Sequence, residues 1–209
     1  PFAALFASRG KATRVSASLR AARGLLASCE ARISVRGAKL ALCGVEVERL
    51  YPYVAVSQGD GVGERAARTT RGAARTDAKK QTTAPSWSDE TFCVSCPTDL
   101  PGEAGSRARA AALSRAAVTV RVLNQRGGTK AAARKSAAAA ANECLGESRL
   151  AWTQLLGRER AALALPLYER GALAKHEAAA AAAKVSGSDP PPPPRVIGEV
   201  SVTVETRAL

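Results

Sequence analysis

The chain has 209 residues and a formal net charge of +13, with an isoelectric point near 10.2. This length suits one domain with extensions, because two full domains would each lie near the small end of the usual size range. The excess of basic residues favours anionic partners such as phospholipid head groups, an acidic protein surface, microtubules or nucleic acid, and charge alone does not choose among them. No apolar run approaches the roughly 18 to 20 residues of a membrane-spanning helix, so any membrane contact is expected to be peripheral.

The cysteines are scattered and odd in number, and the chain has one histidine. Cys93 and Cys96 form a CxxC pair, but a zinc site needs four ligands and no second CxxC or histidine pair follows. The pattern therefore predicts a reducing compartment and buried, reduced thiols, with no metal and no cofactor. The five cysteines are Cys29, Cys43, Cys93, Cys96 and Cys144.

Residues 1–30 form a basic arm, in which no acidic residue occurs from Pro1 to Cys29. The start at Pro1 and the lack of methionine predict a processed product or a piece of a longer protein. An apolar stripe at helical spacing runs through the arm and consists of Val15, Leu19, Ala22 and Leu26. The arm is interpreted either as a mitochondrial-type transit segment or interfacial helix, or as a linker helix packed against a neighbouring domain or subunit. The linker is favoured, because a transit segment is normally removed.

The first strands are predicted between residues 31 and 57. Ile33 and Val35 alternate with polar residues, which is the pattern of a half-buried strand that continues through Leu40 and Leu42. The next strand runs over Tyr53-Val54-Ala55-Val56, and Pro52 sets its start.

A long flexible loop and a basic run follow. Gly59, Gly61, Gly63 and Gly72 predict the loop. On a strand, Arg75, Asp77 and Lys79 would point one way while Thr76, Ala78 and Lys80 point the other, so no single face would collect every charge.

Residues 82–92, reading TTAPSWSDETF, organise the rest of the chain. An extended basic segment, a proline-fixed turn, Trp87 and a strand led by Phe92 predict a β-arch in which the tryptophan closes the end of a sandwich. Both aromatic side chains are expected in the core, because few aromatic residues are available to fill it.

The second half of the chain predicts further strands at residues 118–123, 145–150, 163–167 and 196–204, with the last pairing beside the first. A short helical turn is predicted at Trp152 to Leu156. The HEAAAAAAAK run favours a helix, and Pro190 to Pro194 impose an extended polyproline spacer, for which a rigid connector is preferred over a ligand for small adaptor domains.

Taken together, residues 35–40, Tyr51-Pro52-Tyr53-Val54 and the arch resemble the C2 domains, the calcium- and lipid-binding β-sandwiches. The resemblance implies an all-β fold, an eight-stranded antiparallel sandwich over residues 31–209 that follows the arm at 1–30. Helical or low-complexity insertions interrupt it near 57–74, 127–141 and 170–195. One additional residue between Trp87 and Phe92, compared with the family motif, requires a β-bulge. The core is expected to include Val35, Val54, Trp87, Phe92, Val120 and Leu145.

The resemblance also locates the calcium end of the sandwich. The family's acidic ligands match Tyr51, Asn124, Arg126 and Glu143, so one acid survives from the set. Calcium affinity depends on the number of charged oxygen ligands, and the sequence therefore predicts no calcium site. Many C2 domains hold phosphoinositides on a basic patch, and the residues that would bind lipid or another anion here are Arg75, Lys79, Lys80, Arg126 and Lys130. A solvated charged loop is the alternative interpretation of the basic run at 75–80.

The sequence does not favour an enzyme, because His176 lies in an alanine-rich insert and the acids do not cluster for paired catalysis. Nucleic acid is disfavoured, since no helix-turn-helix, zinc finger or aromatic stacking platform is found. Two hypotheses remain. One is a scaffold whose partners are other protein subunits of a large complex; the other is a calcium-independent module that docks on an anionic membrane surface. Either predicts an intracellular location, in the cytoplasm or peripheral to a membrane, and the arm also permits a mitochondrial one.

Overall fold

The computed structural model describes residues 29–41, 46–59, 64–96, 113, 116–125, 143–155 and 159–208. The strands are β1 (Cys29–Leu40), β2 (Pro52–Gly59), β3 (Glu64–Ala66), β4 (Arg68–Thr69), β5 (Ser86–Ser95), β6 (Ala117–Asn124), β7 (Glu143–Ala151), β8 (Ala161–Tyr168) and β9 (Val196–Ala208). A 3-10 turn covers Val47–Arg49, and the helices are α1 (Trp152–Leu155) and α2 (Ala172–Ser186).

The described strands pair antiparallel in the order β3-β2-β6-β7-β8-β9-β1-β5-β4. β7 and β8 are joined only by the pair Glu147 and Tyr168, so the sheet divides there into two layers that face each other. The all-β sandwich is therefore confirmed, as is the pairing of the last strand beside the first. Nine strands are described instead of eight, because short β3 and β4 form where a flexible loop is predicted and the basic run at 75–80 is not a strand.

A register shift in β1 keeps its apolar side chains in the core. Ile33 and Val35 are fully buried, and beyond the shift at Arg36 the buried positions become Ala38 and Leu40. Because side chains alternate along a strand, one additional residue is needed to return the later pair to the same face.

The register shift at Arg36 also accommodates the additional residue between Trp87 and Phe92. Val35 pairs with Glu90 and Gly37 pairs with Ser86, so three residues of β5 lie opposite Arg36. The core lies between the layers and contains all six residues expected there. Val35, Val54, Phe92 and Val120 are fully buried, and Trp87 and Leu145 are 3% exposed.

Residues 64–85 close one side of the sandwich. β3 pairs with β2 in one layer, β4 pairs with β5 in the other, and the chain then returns to β2. It crosses once more to β1, where the N–H groups of Ala38 and Leu40 donate to the carbonyls of Pro85 and Thr83 at 2.9 and 2.8 Å. This crossing is the predicted β-arch, and it covers strand edges that would otherwise expose unpaired backbone groups.

The predicted helices are found at α1 and α2. β1 begins at Cys29, two residues before the expected domain boundary. The rest of the arm, the insertion at 127–141 and the predicted site residues Arg126 and Lys130 lie outside the described residues.

Candidate functional site

The end of the sandwich that matches the calcium site brings three strand termini together. Pro52 at the start of β2 pairs with Asn124 at the end of β6, which in turn pairs with Glu143 at the start of β7. The N–H of Tyr51 donates to Oδ1 of Asn124 at 2.8 Å, and the N–H of Gln125 donates to the carbonyl of Tyr51 at 3.0 Å. The described members of the matched set, Tyr51, Asn124 and Glu143, are therefore adjacent, as the resemblance implies.

The chemistry of this end is poor in anionic oxygen. Tyr51 contributes a neutral phenol, and the amide of Asn124 is 5% exposed and accepts a backbone hydrogen bond. Among the matched residues that the structure describes, Glu143 is the one with a carboxylate. Among the described residues, no group of three or more histidine, cysteine, aspartate or glutamate side chains could hold a metal ion. A hard dication such as calcium requires six to eight oxygen ligands. The absence of calcium binding stays a prediction.

The basic segment 75–80 runs along the edge of β2 toward this end. The N–H groups of Thr76 and Lys79 donate to the carbonyls of Val54 and Pro52 at 2.9 Å, and the Thr76 hydroxyl accepts from the N–H of Val54. The segment is not one of the described strands, so the alternation expected of a strand does not apply to it. The side chain of Thr76 is buried and that of Lys79 is half-buried, and the expectation that no single face collects every charge stays a prediction.

Two aromatic side chains hold the basic segment in place. Nε1–H of Trp87 donates to the carbonyl of Asp77 at 2.8 Å. The guanidinium carbon of Arg75 lies 4.7 Å above the centroid of the Tyr53 ring, within the range of a cation–π contact. Arg75 and Lys80 are exposed, so their charges face solvent at this edge.

Burial raises the pKa of the Tyr53 phenol above its ordinary value of 10.0, and the hydrogen bond and positive charge of Arg75 oppose that rise. Desolvation disfavours the phenolate, so Tyr53 stays neutral at the pH of the cell.

A second polar site lies on the outer side of β6 and β7, centred on Glu147, which is 5% exposed. Its Oε2 pairs with Nε of Arg121 at 3.2 Å, and its Oε1 accepts from the N–H of Gly171 at 2.6 Å. Glu147 thereby fixes the start of the insertion between β8 and β9. Nη1 of Arg149 forms a more exposed pair with Oε2 of Glu177 on α2 at 2.7 Å. Sequence reasoning missed Glu147; an acid between the apolar residues of a predicted strand was the available signal.

The proline segment of the insertion lies against α2. Nε2 of His176 on α2 lies 3.2 Å from the carbonyl oxygen of Pro191. Gly187 ends the helix with φ of 69°, a left-handed conformation that glycine adopts at little cost, and its N–H donates to the Ala183 carbonyl. The prolines that follow return along the helix, so the polyproline segment contacts α2, and its role as a rigid connector stays a prediction.

The described residues do not converge on a catalytic arrangement. The single histidine contacts a proline carbonyl, and Cys93 and Cys96 form no disulfide, the second of them being buried. No helix among the described residues has both the length and the apolar character that crossing a bilayer requires.

No protein-family model matches the sequence, and no curated protein matches it. The fold is similar to the first C2 domain of a plant extended synaptotagmin 1, with 13% identity, a TM-score of 0.50, and coverage of 86% of this chain and 95% of that domain. A structure of extended synaptotagmin 2 that holds its SMP domain and two C2 domains gives 14% identity and a TM-score of 0.47; the match covers 94% of this chain and 31% of the other. A CC2D1B structure gives 14% identity and a TM-score of 0.48, with coverage of 84% and 54%. At these identities the similarity establishes the fold alone.

Proposed function

The chain has the C2 fold, and on that premise we propose that it is a non-catalytic interaction module that acts as a scaffold for other protein subunits without binding calcium. The observation that carries this proposal is the insertion between β8 and β9. None of the α2 side chains is buried, and Val185 near its end is 91% exposed. Most helices in proteins gain their stability from packing, and a partner that covers the insertion would supply it.

The test uses a variant that removes the insertion without opening the sheet. Tyr168 and Val196 pair directly, so an Asn-Gly turn can replace residues 169–195 and close β8 and β9 as a hairpin. This is called the hairpin-closed variant. Both proteins are expressed in cells, affinity-purified and compared by quantitative mass spectrometry. The full chain is expected to retain a set of partners that the hairpin-closed variant loses. Identical partner sets, or none with either protein, would contradict the scaffold role.

Calcium independence is proposed from the end of the sandwich where Tyr51 and Asn124 replace carboxylates. Isothermal titration of the full chain with calcium chloride is expected to show no binding heat in the micromolar range. A micromolar calcium site would overturn this part of the proposal.

A second candidate function is docking on an anionic membrane, which the exposed Arg75 and Lys80 and the half-buried Lys79 favour. Each basic side chain near such a surface contributes about 1 kcal/mol, so replacing all three with glutamine would weaken binding by about a hundredfold. Co-sedimentation with vesicles of phosphatidylserine and phosphatidylcholine, with and without phosphoinositide, measures this effect. Lys175→Gln with Lys184→Gln, on α2, is the control. Binding that disappears at high salt supports membrane docking, and no binding at low salt contradicts it.

A further inference from the structure

The prolines of the insertion form a polyproline II helix with one covered face. Each proline in Pro190 to Pro194 fixes its own φ near −65° and restricts the residue before it, which leaves the polyproline II conformation of three residues per turn. Side-chain exposure follows this period. Pro191 and Pro194 are half-buried, and Pro190, Pro192, Pro193 and Arg195 are exposed.

The covered face rests on α2. Half-buried positions recur along the helix at intervals of three and four residues, the spacing of one helical face, at Leu173, His176, Ala180 and Ala183. The contact between His176 and the Pro191 carbonyl joins the two faces. The lengths also match, since a helix of 15 residues spans about 22 Å and residues 188–195 span about 25 Å as polyproline II.

We propose that the two exposed faces of this proline helix are a docking site for an SH3-type domain. Such domains bind a PxxP segment in an aromatic-lined groove and use a charged pocket to recognise a neighbouring residue. Pro190 and Pro193 share one exposed face, and Pro192 and Arg195 share the next. The third face of a bound PxxP segment points away from the groove, and here that is the face that α2 covers.

Arg195 selects this class of module among proline-binding domains. Its guanidinium is exposed and carries a fixed positive charge that a carboxylate in the partner pocket can bind with two hydrogen bonds. The packing against α2 also holds the segment in its bound conformation, so less conformational entropy is lost on binding than with a free chain.

This inference rests on the proposed scaffold role, because it names the partner class for the same insertion. The test measures binding of the full chain to a panel of purified SH3 domains with acidic specificity pockets, alongside WW and EVH1 domains, by fluorescence anisotropy. At least one SH3 domain is expected to bind. Pro190→Ala with Pro193→Ala, and separately Arg195→Glu, are each expected to weaken that binding tenfold or more. The control is Lys184→Glu, an exposed charge change on α2, which should leave the affinity within twofold. Circular dichroism checks that each variant keeps the fold.

Binding to no SH3 domain, equal affinity for all variants, or binding only to WW or EVH1 domains would overturn the inference. These outcomes are separable from failure of the scaffold role. If the hairpin-closed variant loses its cellular partners while no SH3 domain binds, the scaffold role stands and the SH3 assignment is wrong.

Discussion

Gly198 lies where β9 approaches β1 too closely for a side chain. A Cβ atom at this position would lie 2.5 Å from the carbonyl oxygen of Lys39, and backbone cannot move aside as a flexible side chain can. Gly198→Ala is therefore expected to lower the free energy of unfolding by about 1 to 3 kcal/mol, the usual cost of overpacking. Urea unfolding measures this change. Glu199→Ala, the next residue and exposed, is the control and should change stability by about 0.5 kcal/mol or less. Equal effects would show that the two strands can separate.

Tyr53 makes stability depend on pH in the alkaline range. Burial raises its pKa in the folded protein above the unfolded value of about 10, so the protonated phenol favours folding. This contribution is complete below about pH 10 and is lost as the pH rises through the folded pKa. The wild type is therefore expected to lose stability relative to Tyr53→Phe as the pH increases past 10. Urea unfolding of both proteins at a series of pH values tests this, and parallel curves would contradict it.

At the scale of the elements, Glu147 links several parts of the fold. It pairs with Arg121, accepts from the Gly171 N–H, and lies at the single link between β7 and β8. Glu147→Gln is expected to cost about 1 to 3 kcal/mol, because the half-buried Arg121 loses the carboxylate charge of Glu147 although it keeps its hydrogen bond to Ser57. Glu177→Gln, which breaks the exposed pair with Arg149, is the matched comparison and should cost about 1 kcal/mol or less. Equal costs in urea unfolding would mean that Glu147 does not hold these elements together.

The sequence predicted the strands in which apolar side chains alternate with more polar ones. Ile33 and Val35 in β1, and Val118 and Val120 in β6, alternate with more polar neighbours, and each lies in a strand. The side chains of residues 64–85 show no such period. Backbone hydrogen bonds to β2 and β1 hold these residues in place, and such bonds cannot be recognised from the residue types. Thr76 was the available signal in the sequence. Its hydroxyl accepts a hydrogen bond from the Val54 N–H, in place of the carbonyl of a neighbouring strand.

The candidate sites also divide into a part that the sequence predicted and a part that it could not predict. The family motif placed Tyr51, Asn124 and Glu143 at one end, where the strand register does bring their positions together. The fold-back of Pro191 onto His176 could not be predicted, since proline conformation sets the extended shape but not the surface on which it packs.

For the whole molecule, the net positive charge is unevenly distributed along the sequence. Residues 1–28 and 126–142 contain nine basic residues and no acidic one, so these ranges supply most of the net positive charge. Charges beyond about 8 to 10 Å are screened at physiological salt, so attraction to an anionic surface depends on how close these ranges come to it. The described strands contribute less of the net positive charge than these two ranges do.

The insertion is an addition to a complete sandwich, which the hairpin-closed variant tests. Removing residues 169–195 takes away the Gly171 bond to Glu147 and the Glu177 pair with Arg149, and no buried side chain of α2 is lost. We expect one cooperative unfolding transition and a loss of at most about 4 kcal/mol, since a hydrogen bond to a charged group contributes up to about 3 kcal/mol and an exposed ion pair up to about 1 kcal/mol. The shorter loop offsets part of that loss, because loop-closure entropy falls with length. Tryptophan fluorescence follows unfolding directly, as Trp87 and Trp152 are both buried in the sandwich. A broad transition, or a loss well above this limit, would mean that the insertion is part of the folding unit and that its docking surface could not have been added to an independent domain.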